Sequence, residues 1–342
     1  VKTIQHPQYD QTEDDRANQA GDAFAYSSGH AKMIANLMFT LSKALLDDIR
    51  VWVGELHTIT ELSGGITNRN YRLDAERGAF VMRVAGAKTH WLGIDRAIEF
   101  ACASEAHRIG VGAEAVAYLQ QHNATLTRFV PNAKTLTVET ATQPNLMRRI
   151  VDVLKKTHNA PSFPSRFDPF QTVRDYHALA LKHDVEFPNS LPKVFLRMGD
   201  IESALQLHAK SCPCHNDLLP GNFLDDGDKL WLIDWEYAGN GNPFFDLGNF
   251  AVNLELDDPQ CQKLIELYFG EVAPKQTAQL NLMRLASDLR ESFWGFLQSG
   301  ISDLDFDFIG YAHKHLNRFR ASANTPDITR DIRLLHEVRV IG

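Results

Sequence analysis

Three polar residues near one another could do chemistry together: Asp217, Asn222 and Asp234. His215, Asp217 and Asn222 form a His-x-Asp-x-x-x-x-Asn pattern, and Asp234 ends the apolar run Leu230-Trp231-Leu232-Ile233. Phosphoryl transfer to a hydroxyl needs a carboxylate that orients the nucleophile and takes its proton. It also needs hard oxygen ligands for the Mg²⁺ that neutralises the phosphates. Asp217 suits the first role, and Asn222 and Asp234 suit the second. His215 would brace the loop backbone. A plain surface turn could also collect Asp and Asn as caps, but the spacing, the hairpin and the apolar run argue against that reading.

The elements that must position these residues follow from local pattern. Asn222–Leu224 and Lys229–Ile233 read as two strands, and Asp226-Gly227 between them would supply the positive φ angles of a tight turn. That hairpin returns Asn222 and Asp234 to one place. Upstream, residues 57–84 read as a three-stranded meander with turns at residues 63–68 and 75–78. The first turn holds Gly64, Gly65, Thr67 and Asn68. Its backbone could approach a triphosphate closely and donate amides to it. Ile94–Ile109 reads as a helix capped by Asp95 and ended by Gly110. Helices are also expected at residues 146–158, Lys193–Lys210 and Leu285–Ser299, whereas residues 159–192 read as Pro-punctuated chain anchored by Phe167, Phe170 and Tyr176. Residues 1–30 are polar and without a sustained period, and read as a mobile arm. Ile34, Leu37, Met38, Leu41 and Leu45 give residues 31–50 an amphipathic helical stripe, read as a packing face or a homodimer contact.

The totals bound the partners. The 342 residues carry a net charge of −8, which argues against nucleic acid and suits a cationic substrate only weakly. Cys212-Pro213-Cys214 is a poor zinc spacing with no second pair. No apolar run approaches membrane-spanning length and no signal peptide is visible, so the chain reads as soluble and cytoplasmic.

The stretch 213–237 resembles the catalytic loop of the choline/ethanolamine kinase and aminoglycoside phosphotransferase group, which has a protein-kinase-like fold. Ile233-Asp234-Trp235-Glu236 stands where that group has Ile-Asp-(Phe/Trp)-Glu. Tyr237 and the run Phe244-Phe245-Asp246-Leu247-Gly248-Asn249 look like choline kinases, as do Phe293-Trp294-Gly295 and Ile301-Ser302-Asp303-Leu304-Asp305-Phe306. The resemblance covers residues 57–320. It implies an α+β, two-lobed fold with a small β-meander lobe (31–128) and a larger, mainly helical lobe (129–342). It further implies ATP as co-substrate with Mg²⁺. Arg83 would hold phosphates, and Glu99 would pair with it, with Glu105 as the alternative partner. Arg128, Phe129 and Val130 would form the adenine-binding hinge.

The resemblance also implies an acceptor pocket lined by Tyr237, Trp294, Phe306 and Tyr311, with Glu236 as a counter-charge beside Asp217. Aromatic faces hold quaternary ammonium groups. Two positions depart from the family pattern. Leu297 replaces a second Trp, and Asn253 replaces an acid, which weakens the cage. The implied reaction is phosphorylation of a small amino alcohol, choline first. Ethanolamine, thiamine or an aminoglycoside are the alternative acceptors. The rival of another class is an inactive nucleotide-binding scaffold, which the presence of Arg83, Asp217, Asn222 and Asp234 together disfavours.

Overall fold

The computed structural model describes residues 41–62, 68–86, 88–208 and 210–337. Internal contacts divide the chain into two units, Val1–Asp47 and Asp48–Gly342. Most of the amphipathic stripe read over residues 31–50 lies outside the described residues. Its end belongs to helix α1 (Lys43–Val53), whose first turn is closed by Ser42, the Oγ of which accepts from the Leu45 amide at 3.2 Å.

The meander forms as expected. Strands β1 (Leu56–Leu62), β2 (Asn68–Ala75) and β3 (Gly78–Ala85) pair antiparallel, and β4 (Ala115–Leu119) and β5 (Ala124–Arg128) complete a sheet of order β1-β2-β3-β5-β4. Gly78, at φ 111°, makes the β2–β3 turn. Alternation along β3 buries Phe80 and Met82 and turns Arg83 to the other face, opposite Asn70. Helix α2 (Arg96–Arg108) lies between β3 and β4 in sequence. The Asp95 carboxylate caps it, accepting from Ala97 N at 2.9 Å and Ile98 N at 3.1 Å, and Gly110 follows its end at φ 78°.

The rest of the chain is mainly helical: α3 (Val138–Ala141), α4 (Pro144–His158), α5 (Pro169–Lys182), α6 (Leu191–Gln206), α7 (Pro243–Asn253), α8 (Asp258–Phe269), α9 (Pro274–Ile301), α10 (Phe308–Ser322) and α11 (Pro326–His336). Helix α5 corrects the sequence reading of residues 159–192. Pro169 does not break structure there. It occupies the first helical turn, where no amide partner is lost, and Asp168 caps it. Phe170, Val173, Tyr176 and Ala180 then recur at helical spacing on the buried face. No described helix is long and apolar enough to cross a membrane.

Helix α7 runs through the core with Phe245, Leu247, Phe250 and Ala251 fully buried. It meets α9 at Gly248, where a Cβ would come within 2.7 Å of the Met283 carbonyl carbon and 2.9 Å of the Arg284 nitrogen. Both neighbours are backbone, so neither can yield by rotating. Gly248→Ala is therefore expected to cost about 1–3 kcal/mol of stability. A melting temperature equal to that of the parent protein would contradict this packing.

Candidate active site

The loop carrying Asp217 is held by buried polar groups. It leaves strand β6 (Cys212–Cys214), which pairs with Gly239–Gly241. The Asp246 carboxylate, on α7, accepts from the amides of His215 (2.9 Å) and Asn216 (2.7 Å). Asn249, one turn on, accepts from the Leu218 amide at 2.6 Å. Asn253 in turn donates to the Leu218 carbonyl at 3.3 Å, so this departure from the acidic pattern serves the loop. His215 is fully buried and bonds the Ile233 carbonyl through Nε2 at 2.9 Å, while its Nδ1 accepts from the Asp217 amide at 3.3 Å. A carbonyl can only accept, so Nε2 carries the proton. Burial pushes the His215 pKa down, in keeping with this neutral form. His215 braces the loop, as its sequence position suggested.

Asp246 also meets His158 Nε2 at 3.0 Å, and His158 Nδ1 meets the Tyr268 hydroxyl at 2.6 Å. Burial raises the Asp246 pKa, but the hydrogen bonds and charges facing it, those of His158 first, together outweigh burial and the net shift is downward from 3.8. The group's stabilising contribution is thus present above its unfolded pKa and is lost as pH falls through the lowered folded value. Asp246→Asn is expected to lower the melting temperature at neutral pH and to narrow the gap between the two proteins below about pH 4, near the unfolded pKa of Asp. A pH-independent gap would show that the charge contributes nothing.

The hairpin that follows brings Asn222 and Asp234 together. Asn222 closes a short 3₁₀ turn rather than opening a strand, and the strands are Phe223–Asp225 and Leu230–Leu232. The turn also differs from expectation. Gly227 has φ 97°, but Asp226 keeps a negative φ, and its carboxylate caps the turn by accepting from the amides of Asp228 and Lys229. The Ile233 amide donates to the Asn222 carbonyl at 2.9 Å, which fixes Asp234 beside Asn222. Asn222 Nδ2 donates to the Asp217 carbonyl at 2.9 Å, so its Oδ1 turns the other way, free to act as a ligand. Asp234 sits at φ 69°, a left-handed conformation that Asp tolerates better than most residues.

Arg83 bridges the sheet to this hairpin. Its Nη1 contacts the Asp234 carboxylate and lies 3.1 Å from Glu99. Burial pushes the Asp234 pKa up, but the charge and the hydrogen bond of Arg83, with the charge of Arg96 and the other groups facing it, together hold the carboxyl below its usual value. Glu99 is thus the partner of Arg83. Glu105 pairs instead with Arg108 at the surface, at 2.6 Å. Arg96, which sequence reasoning gave no role, is a buried hub. It bonds Glu99 at 2.5 Å, Glu236 at 3.1 Å and Asn68 Oδ1 at 2.7 Å, and Asn68 Nδ2 donates to Glu236 at 3.1 Å. The Asn68 side chain is therefore engaged with Arg96 and Glu236. Gly64, Gly65 and Thr67 lie outside the described residues. At the expected hinge, Phe129 donates its amide to Ala79 O at 3.1 Å and Arg128 donates its own to Glu114 O at 2.8 Å. The Arg128 side chain packs over Phe80 and pairs with Glu114, and the Phe129 ring lies under Arg72. Val130 follows, half-buried.

On the other side of Asp217 lies an unexpected pair, Arg290 and Glu291 of α9. Arg290 Nη1 is 3.3 Å from Asp217 Oδ1 and 2.6 Å from Glu291 Oε1, and the guanidinium carbon sits 4.3 Å over the Tyr237 ring. Burial pushes the Asp217 pKa up to about 8 against the opposing charge of Arg290. Burial, then Asp234, pushes Glu236 up to about 7. Glu291 accepts from the Tyr311 hydroxyl at 2.7 Å. Tyr311 joins Trp294 (5.6 Å between centroids) and Phe306 (6.2 Å), and Phe308 packs on both Trp294 and Phe306. Three of the four expected pocket aromatics therefore form one cluster, with Phe308 added. Phe306 is the exposed member, at 44%. Tyr237 reaches the cluster by way of Arg290 and Glu291. The signal for these two residues was present in the sequence: adjacent opposite charges in the mixed but apolar-rich helical stretch Leu285–Phe296.

The model of the phosphotransferase enzyme family matches residues 58–277. The chain belongs to that family. Among curated proteins, this phosphotransferase is similar to Protein LicA of Haemophilus influenzae, 30% identical over 214 residues that cover 61% of this chain and 62% of that one. It is also similar to a probable ethanolamine kinase A of Dictyostelium discoideum, 27% identical over 323 residues, covering 82% and 91%. A choline/ethanolamine kinase family protein from Mesorhizobium loti shares the fold at a TM-score of 0.73 and 29% identity, covering 85% of this chain and 98% of that one. The five-stranded sheet followed by a helical region is thus the kinase-like architecture expected from the sequence.

Proposed function

We propose that this phosphotransferase moves the γ-phosphoryl group of ATP to the hydroxyl of a small amino alcohol, choline first. The observation that carries this reading is the position of Asp217. It lies between the Arg83–Asp234–Asn222 group and, through Arg290, Glu291 and Tyr311, the cluster around Trp294. A carboxylate so placed can orient an acceptor hydroxyl and take its proton. The donor set of Asn222 and Asp234 is hard oxygen, which fits Mg²⁺. These two residues would hold that ion, which supplies neutralisation of phosphate charge when bound. Arg83, oriented by Glu99, would grip phosphate oxygens, assisted by backbone of the turn at Gly64, Gly65 and Thr67. Backbone at residues 128–130 would meet the adenine, with the lobe boundary near Arg128. Trp294, Phe306 and Tyr311 would line the acceptor pocket with Glu236 nearby.

Ethanolamine is the second reading. The loss of a second Trp at Leu297 and the ethanolamine kinases among the relatives favour it. Trp294→Ala separates the two. A cation–π contact contributes roughly 0.5–2 kcal/mol, which corresponds to about 2–30-fold in affinity. The choline KM is expected to rise within that range and more than the ethanolamine KM, because aromatic faces favour methylated over hydrated ammonium. Equal effects on both acceptors, or faster ethanolamine turnover in the parent protein, would make these rings core packing.

A further inference from the structure

Arg290 is 2% exposed, yet its Nε and Nη2 groups have no hydrogen-bond partner among the described residues. Buried donors left unmet are costly and uncommon. The surroundings of this guanidinium are those an ammonium ligand would seek. It lies over the face of Tyr237 and against two carboxylates, Asp217 and Glu291. The neighbouring acids are compensated in the same way, Glu236 by Arg96 and Asp234 by Arg83.

We propose that Arg290 sets acceptor selectivity: its guanidinium supplies the positive charge on Tyr237, Asp217 and Glu291, and its unpartnered Nε and Nη2 donate to an oxygen of the acceptor. The site then recognises its alcohol by shape and oxygen placement more than by cationic charge. This rests on the amino-alcohol reading above and deepens it. Two like charges in a dry pocket repel, so attraction of the acids for a substrate ammonium is offset by the resident arginine. The aromatic cluster around Trp294 still contributes its cation–π attraction for methylated ammonium.

The test compares choline with 3,3-dimethylbutan-1-ol, which has the same shape with carbon in place of the charged nitrogen. Dissociation constants of both are measured by calorimetry with Mg-ADP present, in the parent protein, Arg290→Met and Arg290→Lys. The parent is expected to prefer choline by about tenfold or less, one decade being 1.4 kcal/mol. Arg290→Met is expected to widen that preference by about tenfold, and Arg290→Lys is expected to keep the parent's ratio. A parent preference well above tenfold, an unchanged ratio in Arg290→Met, or a Lys variant that behaves like Met each overturns the proposal. If Arg290→Met does not fold, the parent and the Lys variant decide it. Strong choline selectivity with phosphocholine formed would overturn this inference and leave the amino-alcohol reading standing. Binding of neither compound would overturn both.

Discussion

Asp217→Asn is expected to lower turnover by about 10²–10⁴-fold, the range for loss of a general base, while nucleotide affinity stays unchanged. The substitution keeps the shape of the side chain and leaves Asn222, Asp234 and Arg83 in place. It removes the only charge that can take the acceptor proton at that point of the loop. The loop itself should survive, because its amides are held by Asp246 and Asn249 and its imidazole by the Ile233 carbonyl. Steady-state turnover with calorimetric nucleotide titration checks this. Near-normal turnover would sink the assignment of Asp217 as base.

Asp234→Ala is expected to be more severe, with activity lost by at least about 10³-fold, or roughly 4 kcal/mol of transition-state stabilisation. Two roles fail together. One of the oxygen ligands proposed for Mg²⁺ disappears, and Arg83 loses one of the two carboxylates that orient it. The distinguishing readout is metal dependence: the Mg²⁺ concentration for half-maximal nucleotide binding should rise sharply. An unchanged Mg²⁺ requirement would move the metal site elsewhere.

Much of this geometry was legible because it is local. The β-meander, the Asp95 cap, the Gly110 stop and the hairpin joining Asn222 to Asp234 each depend on residues within a few positions of one another. Glu99 was separable from Glu105 in principle because it lies in the first turn of α2. The features that escaped depend on distant packing or on a misleading local cue. Pro169 looked like a breaker, although proline is well suited to a first helical turn. Arg96 could be read as an exposed helix residue, because nothing local says that Glu236 and Asn68 come to meet it. Arg290 and Glu291 were missed in the sequence, because only the approach of α9 to the loop shows that Asp217, Tyr237 and Tyr311 are their partners.

The proposed reaction is transfer of phosphoryl from ATP to an amino alcohol. It is tested most directly by following ADP release and phosphomonoester formation together, the latter by ³¹P NMR, with choline, ethanolamine, thiamine and kanamycin as acceptors. The expected result is one equivalent of phosphomonoester for each ADP, with choline turned over fastest and kanamycin left unmodified. Nucleotide binding with no acceptor-dependent ADP release, or phosphorylation of kanamycin in preference to the small alcohols, would contradict it.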